Sequence, residues 1–228
     1  VPSEELRHDY QRMAVSASQL QVVPPGVSVA ASPRSDRENF LSARRLPVDA
    51  QLIVVVGPLV RSKRLDEAIW HFELVRTLHE NAVMLILGDG PERERLERYA
   101  RLVSEPAVVK FLGYREDMPA YFSHADVVLH TGEEATRSVA VMESMAAGVP
   151  VVASDVPVNR GLIEPGKTGF LAAARSRAMF ARYTLRLLEN PDLAQQIGTA
   201  AAEDAERRFS TRGMIQAYRQ LYEELIVA

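Results

Sequence analysis

QLIVVVGPLVRSKRLDEAIWHFELVRTLHENAVMLILGDGPERERLERYARLV, residues 51–103, reads as strand, helix, strand, helix. Its apolar runs QLIVVVG (51–57) and AVMLILG (82–88) are continuous rather than alternating, which is the pattern of strands covered on both faces in a parallel sheet. Between them Leu65, Ala68, Ile69, Phe72 and Val75 fall on one stripe of a helix. Pro91 stands where a helix-starting proline would, before ERERLERYARL. Downstream, AVVKFLG (107–113), ADVVLH (125–130) and PVVAS (150–154) continue the series. Repeated strand–helix units imply right-handed crossovers and predict an α/β fold, a Rossmann-like, doubly wound parallel sheet flanked by helices. Ligands of such sheets bind at the carboxyl ends of strands, so the loops after Gly57, Gly113 and His130 are the candidate cleft. After about residue 175 the strands stop and three helices follow. The last carries Met214, Ile215, Tyr218, Leu221, Tyr222 and Leu225 at helical spacing, with Ser210 as its cap. Residues 1–50 are less regular, and VVPPGV (22–27) and SPRSDREN (32–39) read as turns and solvated loop.

Composition narrows the function classes. With 27 Lys and Arg against 30 Asp and Glu, the formal charge of −3 provides no basic field for a polyanion, so nucleic acid is not an expected partner. The absence of cysteine excludes disulfides, thiolate catalysis and cysteine-held metals, and fits a reducing compartment. The cytoplasm is the expected location, with membrane association at most peripheral at its inner face. The longest apolar run, LIVVV at 52–56, is far short of the roughly 18 residues of a membrane span. The opening VPSEELRHDY has neither an initiator Met nor a signal-peptide pattern and reads as the start of an excised piece.

Several residues carry candidate chemistry. Ser138 to Ala147 reads as a helix with Val139, Met142 and Ala146 on its inner face, and Glu143 projects within about 40° of Val139, toward the packed side. A carboxylate so placed needs partners, and two adjacent ribose hydroxyls would satisfy both oxygens. The competing reading is a carboxylate at the stripe's edge paired with a lysine. Arg61, Lys63 and Arg64 stand just before a helix start, where free N–H groups and the helix dipole favour an anion such as phosphate. A solvated basic loop is the alternative. In LGDGPERERL (87–96) Gly88 and Gly90 resemble a dinucleotide fingerprint, but Arg93 holds the third glycine's place. Glycines required by a tight strand–helix turn explain the pair better. Of the five histidines only His130 ends a strand in the candidate cleft, and it reads as a satisfied turn residue rather than a catalytic base. No histidine pair has metal-site spacing.

In their order along the chain these fragments resemble the C-terminal domain of family four glycosyltransferases, the retaining sugar transferases with the GT-B fold. The resemblance runs from about Val22 to Leu225, through VVPPGV, VVVGPLVRSKRLDEAI, LILGDGPERERLE, VKFLGYREDMPAYFSHADVVL, AVMESMAAGVPVVASDVPVNRGLIEPGKTGFL and RFSTRGMIQAYRQLYEEL. It implies one half of a GT-B fold: residues 1–21 as the tail of a missing acceptor domain, 22–205 as the nucleotide-sugar-binding domain, and 206–228 as a helix packing back toward the missing domain. It implies a nucleotide sugar (UDP-, GDP- or ADP-linked) as donor, and a sugar, lipid or glycan as acceptor. No cofactor and no metal are required, no protein nucleophile is assigned, and the fragment alone transfers nothing.

Residue by residue, Lys63 matches the lysine that contacts the donor diphosphate, and Glu143 the second Glu of the E-x7-E motif, which holds the ribose. Gly113 and Tyr114 match the loop that packs the base, and Ser138 and Val139 the helix start whose N–H groups approach the phosphates. Two departures stand out. The family's Gly-Arg-Leu is here Gly57, Pro58 and Leu59, and the neighbouring Arg61 and Arg64 do not match the absent arginine. Eight positions before Glu143 stands Ala135, with Glu134 one residue out of register and Thr136, Arg137 and Ser138 in place of the usual Gly-Phe-Gly. Glu134, Thr136 and Arg137 are accordingly the expected donor-sugar contacts. A non-catalytic nucleotide-sugar-binding module would show the same departures, and a GT-B nucleotide-sugar epimerase is the third reading.

Overall fold

The structure, a computed structural model, describes residues 1–27, 37–133 and 138–227. The donor-sugar contacts expected at Glu134, Thr136 and Arg137 lie outside the described residues. The chain runs α1 (Glu4–Arg12), α2 (Arg37–Ala43), β1 (Gln51–Val56), α3 (Leu65–Arg76), β2 (Ala82–Leu87), α4 (Arg93–Val103), β3 (Val109–Gly113), α5 (Met118–His124) and β4 (Val127–His130). It continues through α6 (Val139–Ala146), β5 (Val151–Ser154), α7 (Pro157–Arg160), β6 (Phe170–Ala172), α8 (Arg177–Leu188), α9 (Pro191–Phe209) and α10 (Thr211–Val227).

All six strands pair in parallel in the order β3-β2-β1-β4-β5-β6, the predicted doubly wound sheet. Alternation along the buried strands feeds two cores. Leu52, Val54, Val83, Leu85 and Val128 pack on the face of α5, α6 and α9, while Ile53, Val55, Met84, Ile86 and Leu129 pack on the face of α3, α4 and α8. The expected stripe of α3 is observed, with Leu65, Ala68, Ile69, Phe72 and Val75 all buried. The strand order reverses between β1 and β4, so the topological switch point lies where Gly57 and His130 leave the sheet.

Several expectations need correction. Strand β6 was not anticipated, because three residues are too short to show a period. Pro91 lies in a turn ahead of α4 instead of starting it, with Glu92 at the N-cap. Arg37, expected in solvated loop, opens α2 and is tied down: its guanidinium pairs with Asp126 at 2.6 Å and donates to the carbonyls of His124 (2.7 Å) and Ala50 (2.9 Å). Ser210 caps α10 as expected, accepting from the Gly213 amide. Helix α9 runs through residue 206 to Phe209, and the chain turns at Ser210. Among the described residues no helix is long and apolar enough to cross a membrane.

Candidate donor-binding site

The loops at the switch point are stacked backbone on backbone. A Cβ on Gly88 would lie 2.8 Å from the carbonyl carbon of Gly57, and one on Gly90 2.6 Å from the oxygen of Leu59. The two glycines are therefore demanded by packing of the β1 and β2 loops, as the turn reading expected. Arg93, in the third glycine's place, donates to Asp89 (3.0 Å) and Glu97 (2.8 Å). Amide bonds extend the stack: Gly57 to Leu87 O (3.0 Å), Leu59 to Asp89 O (3.0 Å) and Glu92 to Leu59 O (3.0 Å).

Lys63 ends a short 3-10 turn, Arg61–Lys63, and is buried. Its stem crosses Gly57, with Cε 3.0 Å and Nζ 3.3 Å from where a Cβ there would stand. A side chain at residue 57 would displace the ammonium. A brace reaches the turn from β4: the hydroxyl of Thr131 donates to the carbonyls of Lys63 (2.8 Å) and Arg64 (3.1 Å), and the Glu133 amide donates to Ser62 O (3.1 Å). Ser154 on β5 in turn donates to Gly132 O, and Asn159 donates to Ser154 O (2.8 Å). Sequence reasoning missed this brace. A threonine one residue past a strand carries no mark of a partner 68 positions earlier. Thr131→Val keeps the shape and removes both hydrogen bonds, and it is expected to lower unfolding stability by about 1–2 kcal/mol in denaturant titration.

The neighbouring arginines are already engaged. Arg61 is exposed and its Nε lies 3.4 Å from Glu92. Arg64, in left-handed backbone at the N-cap of α3 (φ 50°, ψ 44°), pairs with Glu67 and with Glu133 (2.7 Å). Arg175 approaches the same Glu133 carboxylate at 3.7 Å.

The buried side of α6 is Val141, Met142, Ser144 and Met145. This corrects the expected inner face in part: Met142 is buried, but Val139 is 48% exposed, and Glu143, one turn on, is half-buried. Burial pushes the Glu143 carboxyl above its usual range. Ser138 is buried at the N-cap, and its hydroxyl caps no amide of α6. His130 is buried beside the site and pushed down to about 3, first by desolvation and then by the charge of Lys63, so the imidazole is neutral at physiological pH. Gly113 ends β3 and the Tyr114 ring is exposed at the rim. Among the described residues no group of three or more His, Asp or Glu could hold a metal ion. Lys63 is thus brought to the switch point beside Gly57, Glu143 lies one turn along α6, and Gly113 and Tyr114 stand two strands away.

The profile of the family described as glycosyl transferases group 1 matches residues 36–204. The chain is 29% identical to D-inositol 3-phosphate glycosyltransferase of Corynebacterium efficiens, over 99% of this chain and 55% of that protein. It is 23% identical to N-acetyl-alpha-D-glucosaminyl L-malate synthase of Bacillus anthracis, over 77% of this chain and 46% of that protein. The chain therefore spans about half the length of these curated relatives. Among solved structures, its fold is similar to sucrose-phosphate synthase of Thermosynechococcus elongatus (TM-score 0.88, 24% identity, 100% of this chain and 58% of that one). It is also similar to HepE of Anabaena, solved with UDP-glucose (TM-score 0.86, 21% identity, 100% of this chain and 63% of that one). A Rossmann-like sheet of GT-B type together with the profile match over most of its length means that the chain belongs to the glycosyl transferases group 1 family.

Proposed function

We propose that the chain is the donor-binding part of a retaining glycosyltransferase, which holds a nucleotide sugar while the sugar passes to an acceptor carried by a separate domain. The observation that carries this reading is the buried Lys63 lying across Gly57 at the switch point, and the half-buried Glu143 on α6, the helix that follows the neighbouring strand β4, supports it. Lys63 and the amides following Ser138 and Val139 take the diphosphate and stabilise it as it departs. Glu143 accepts the ribose hydroxyls, and Gly113 and Tyr114 flank the base. The sugar end falls to Glu134, Thr136 and Arg137, and Arg61 reaches the diphosphate once released from Glu92. No metal or other cofactor takes part. HepE, solved with UDP-glucose, supports a nucleotide sugar as the ligand of this fold. Residues 1–21 belong in this reading to the acceptor domain, and α10 packs toward it. The exposed Ile215, Tyr222 and Leu225 support that placement.

The rival reading, a module that binds donors without using them, is favoured by one observation: the cations flanking Lys63 are already neutralised by Glu92, Glu67 and Glu133. Sugar transfer assayed with the full-length protein separates the two, and its absence alongside tight donor binding would favour the module. For the ribose contact, Glu143→Ala is expected to weaken binding of the preferred nucleoside diphosphate several-fold in calorimetry across UDP, GDP and ADP. Because burial already penalises that charge, the melting temperature should hold or rise. Unchanged affinity would remove Glu143 from the site.

A further inference from the structure

His130 has no part in the reading above, yet it stands at the switch point itself. It is the last residue of β4, a central strand, and is 5% exposed. Strand β4 pairs with β1 so that Leu129 lies opposite Val55, which brings His130 alongside the end of β1 where Gly57 follows. On its other side His130 is in register with Ala153 of β5. Val128 packs in the core under α6 and Leu129 in the core under α3, so alternation turns the His130 side chain to the α6 face. Lys63 lies across Gly57 on the same strand end, and its charge acts on the imidazole. The residue after His130 is Thr131, whose hydroxyl holds the carbonyl of Lys63.

We propose that His130 is a positioning residue for Lys63: its imidazole backs the lysine stem where it crosses Gly57 and keeps the ammonium turned toward the donor diphosphate. The inference rests on the donor reading of the site and adds to it a residue that touches the ligand only through Lys63. A buried imidazole suits the task on physical grounds. It is rigid, it offers a ring nitrogen to an ammonium, and desolvation keeps it from adding a second positive charge that would push the lysine away. Leucine or valine, the usual occupants of a central parallel strand, would pack there equally well but carry no ring nitrogen.

A double-mutant cycle on the full chain tests this, with calorimetry of the nucleoside diphosphate that the parent protein binds best among UDP, GDP and ADP. His130→Leu is expected to lower affinity about tenfold in the parent and to change it less than twofold in a Lys63→Met background. His130→Asn, which restores a polar group, should recover part of the loss. Thermal melting of each variant reports folding separately, and if His130→Leu fails to fold, the His130→Asn arm of the same cycle decides. A residue serving only the fold would lower affinity equally in both backgrounds, and that additive result would overturn the positioning role while leaving Lys63 as the diphosphate contact. Absence of binding by the parent protein to any of the three would overturn the donor reading and this inference with it.

Discussion

Lys63→Ala is expected to weaken binding of the nucleoside diphosphate by about 1.5–3 kcal/mol, roughly ten- to a hundredfold. The upper part of that range applies because Lys63 is 8% exposed and the diphosphate of the donor reading is an anion, so the contact would be charge-assisted. Lys63→Met separates charge from packing, since it keeps the stem that lies on Gly57 and deletes only the ammonium. Both variants should bind equally poorly in calorimetry, with Lys63→Met melting closer to the parent. Parent-like affinity in either one would remove the lysine from the site, and with it the main anchor of the donor reading.

Gly88→Ala is expected to cost on the order of 2–6 kcal/mol of unfolding stability, the sum of overpacking and of a forced left-handed backbone. The added methyl would fall on the Gly57 peptide, which cannot move aside because its own amide is bonded to Leu87 O, and φ at Gly88 is +138°. Gly166→Ala is the control: φ there is +78° with nothing within 4 Å of the added carbon, so only the conformational part, about 1–3 kcal/mol, remains. Equal shifts in denaturant midpoint for the two variants would mean that the stacked loops yield more readily than the distances imply.

The sheet was legible because its five longer strands are continuous apolar runs separated by a helix stripe, which only a parallel sheet covered on both faces requires. What escaped was of two kinds. Strand β6 and helix α2 are short, and local preference does not mark Phe170 or Arg37; their places are set by Val152 beside Phe170 and by Asp126 beneath Arg37. The other kind lies within the site. Lys63 and Glu143 stood out because a cation ahead of a helix and a carboxylate near an apolar stripe are unusual locally. The Thr131 brace and the action of the Lys63 charge on His130 reach across more than sixty residues of chain and leave no local trace. The flank of α6 was misjudged because Val139 looks like core in the sequence, whereas the helix packs through Val141 and Met145.

The stacked loops also bear on how this lineage can vary. Their bonds run through the amides of Gly57, Leu59 and Glu92 and pass over Pro58, which has no amide hydrogen to lose and is exposed. Pro58 and the exposed Arg61 therefore project from two loops that are joined to one another by main-chain bonds. Selection can exchange such outward residues, as the proline in the usual arginine's place illustrates, without reworking the peptide framework underneath. In the donor reading, the residues that would face the ligand and the frame beneath them are thus separable.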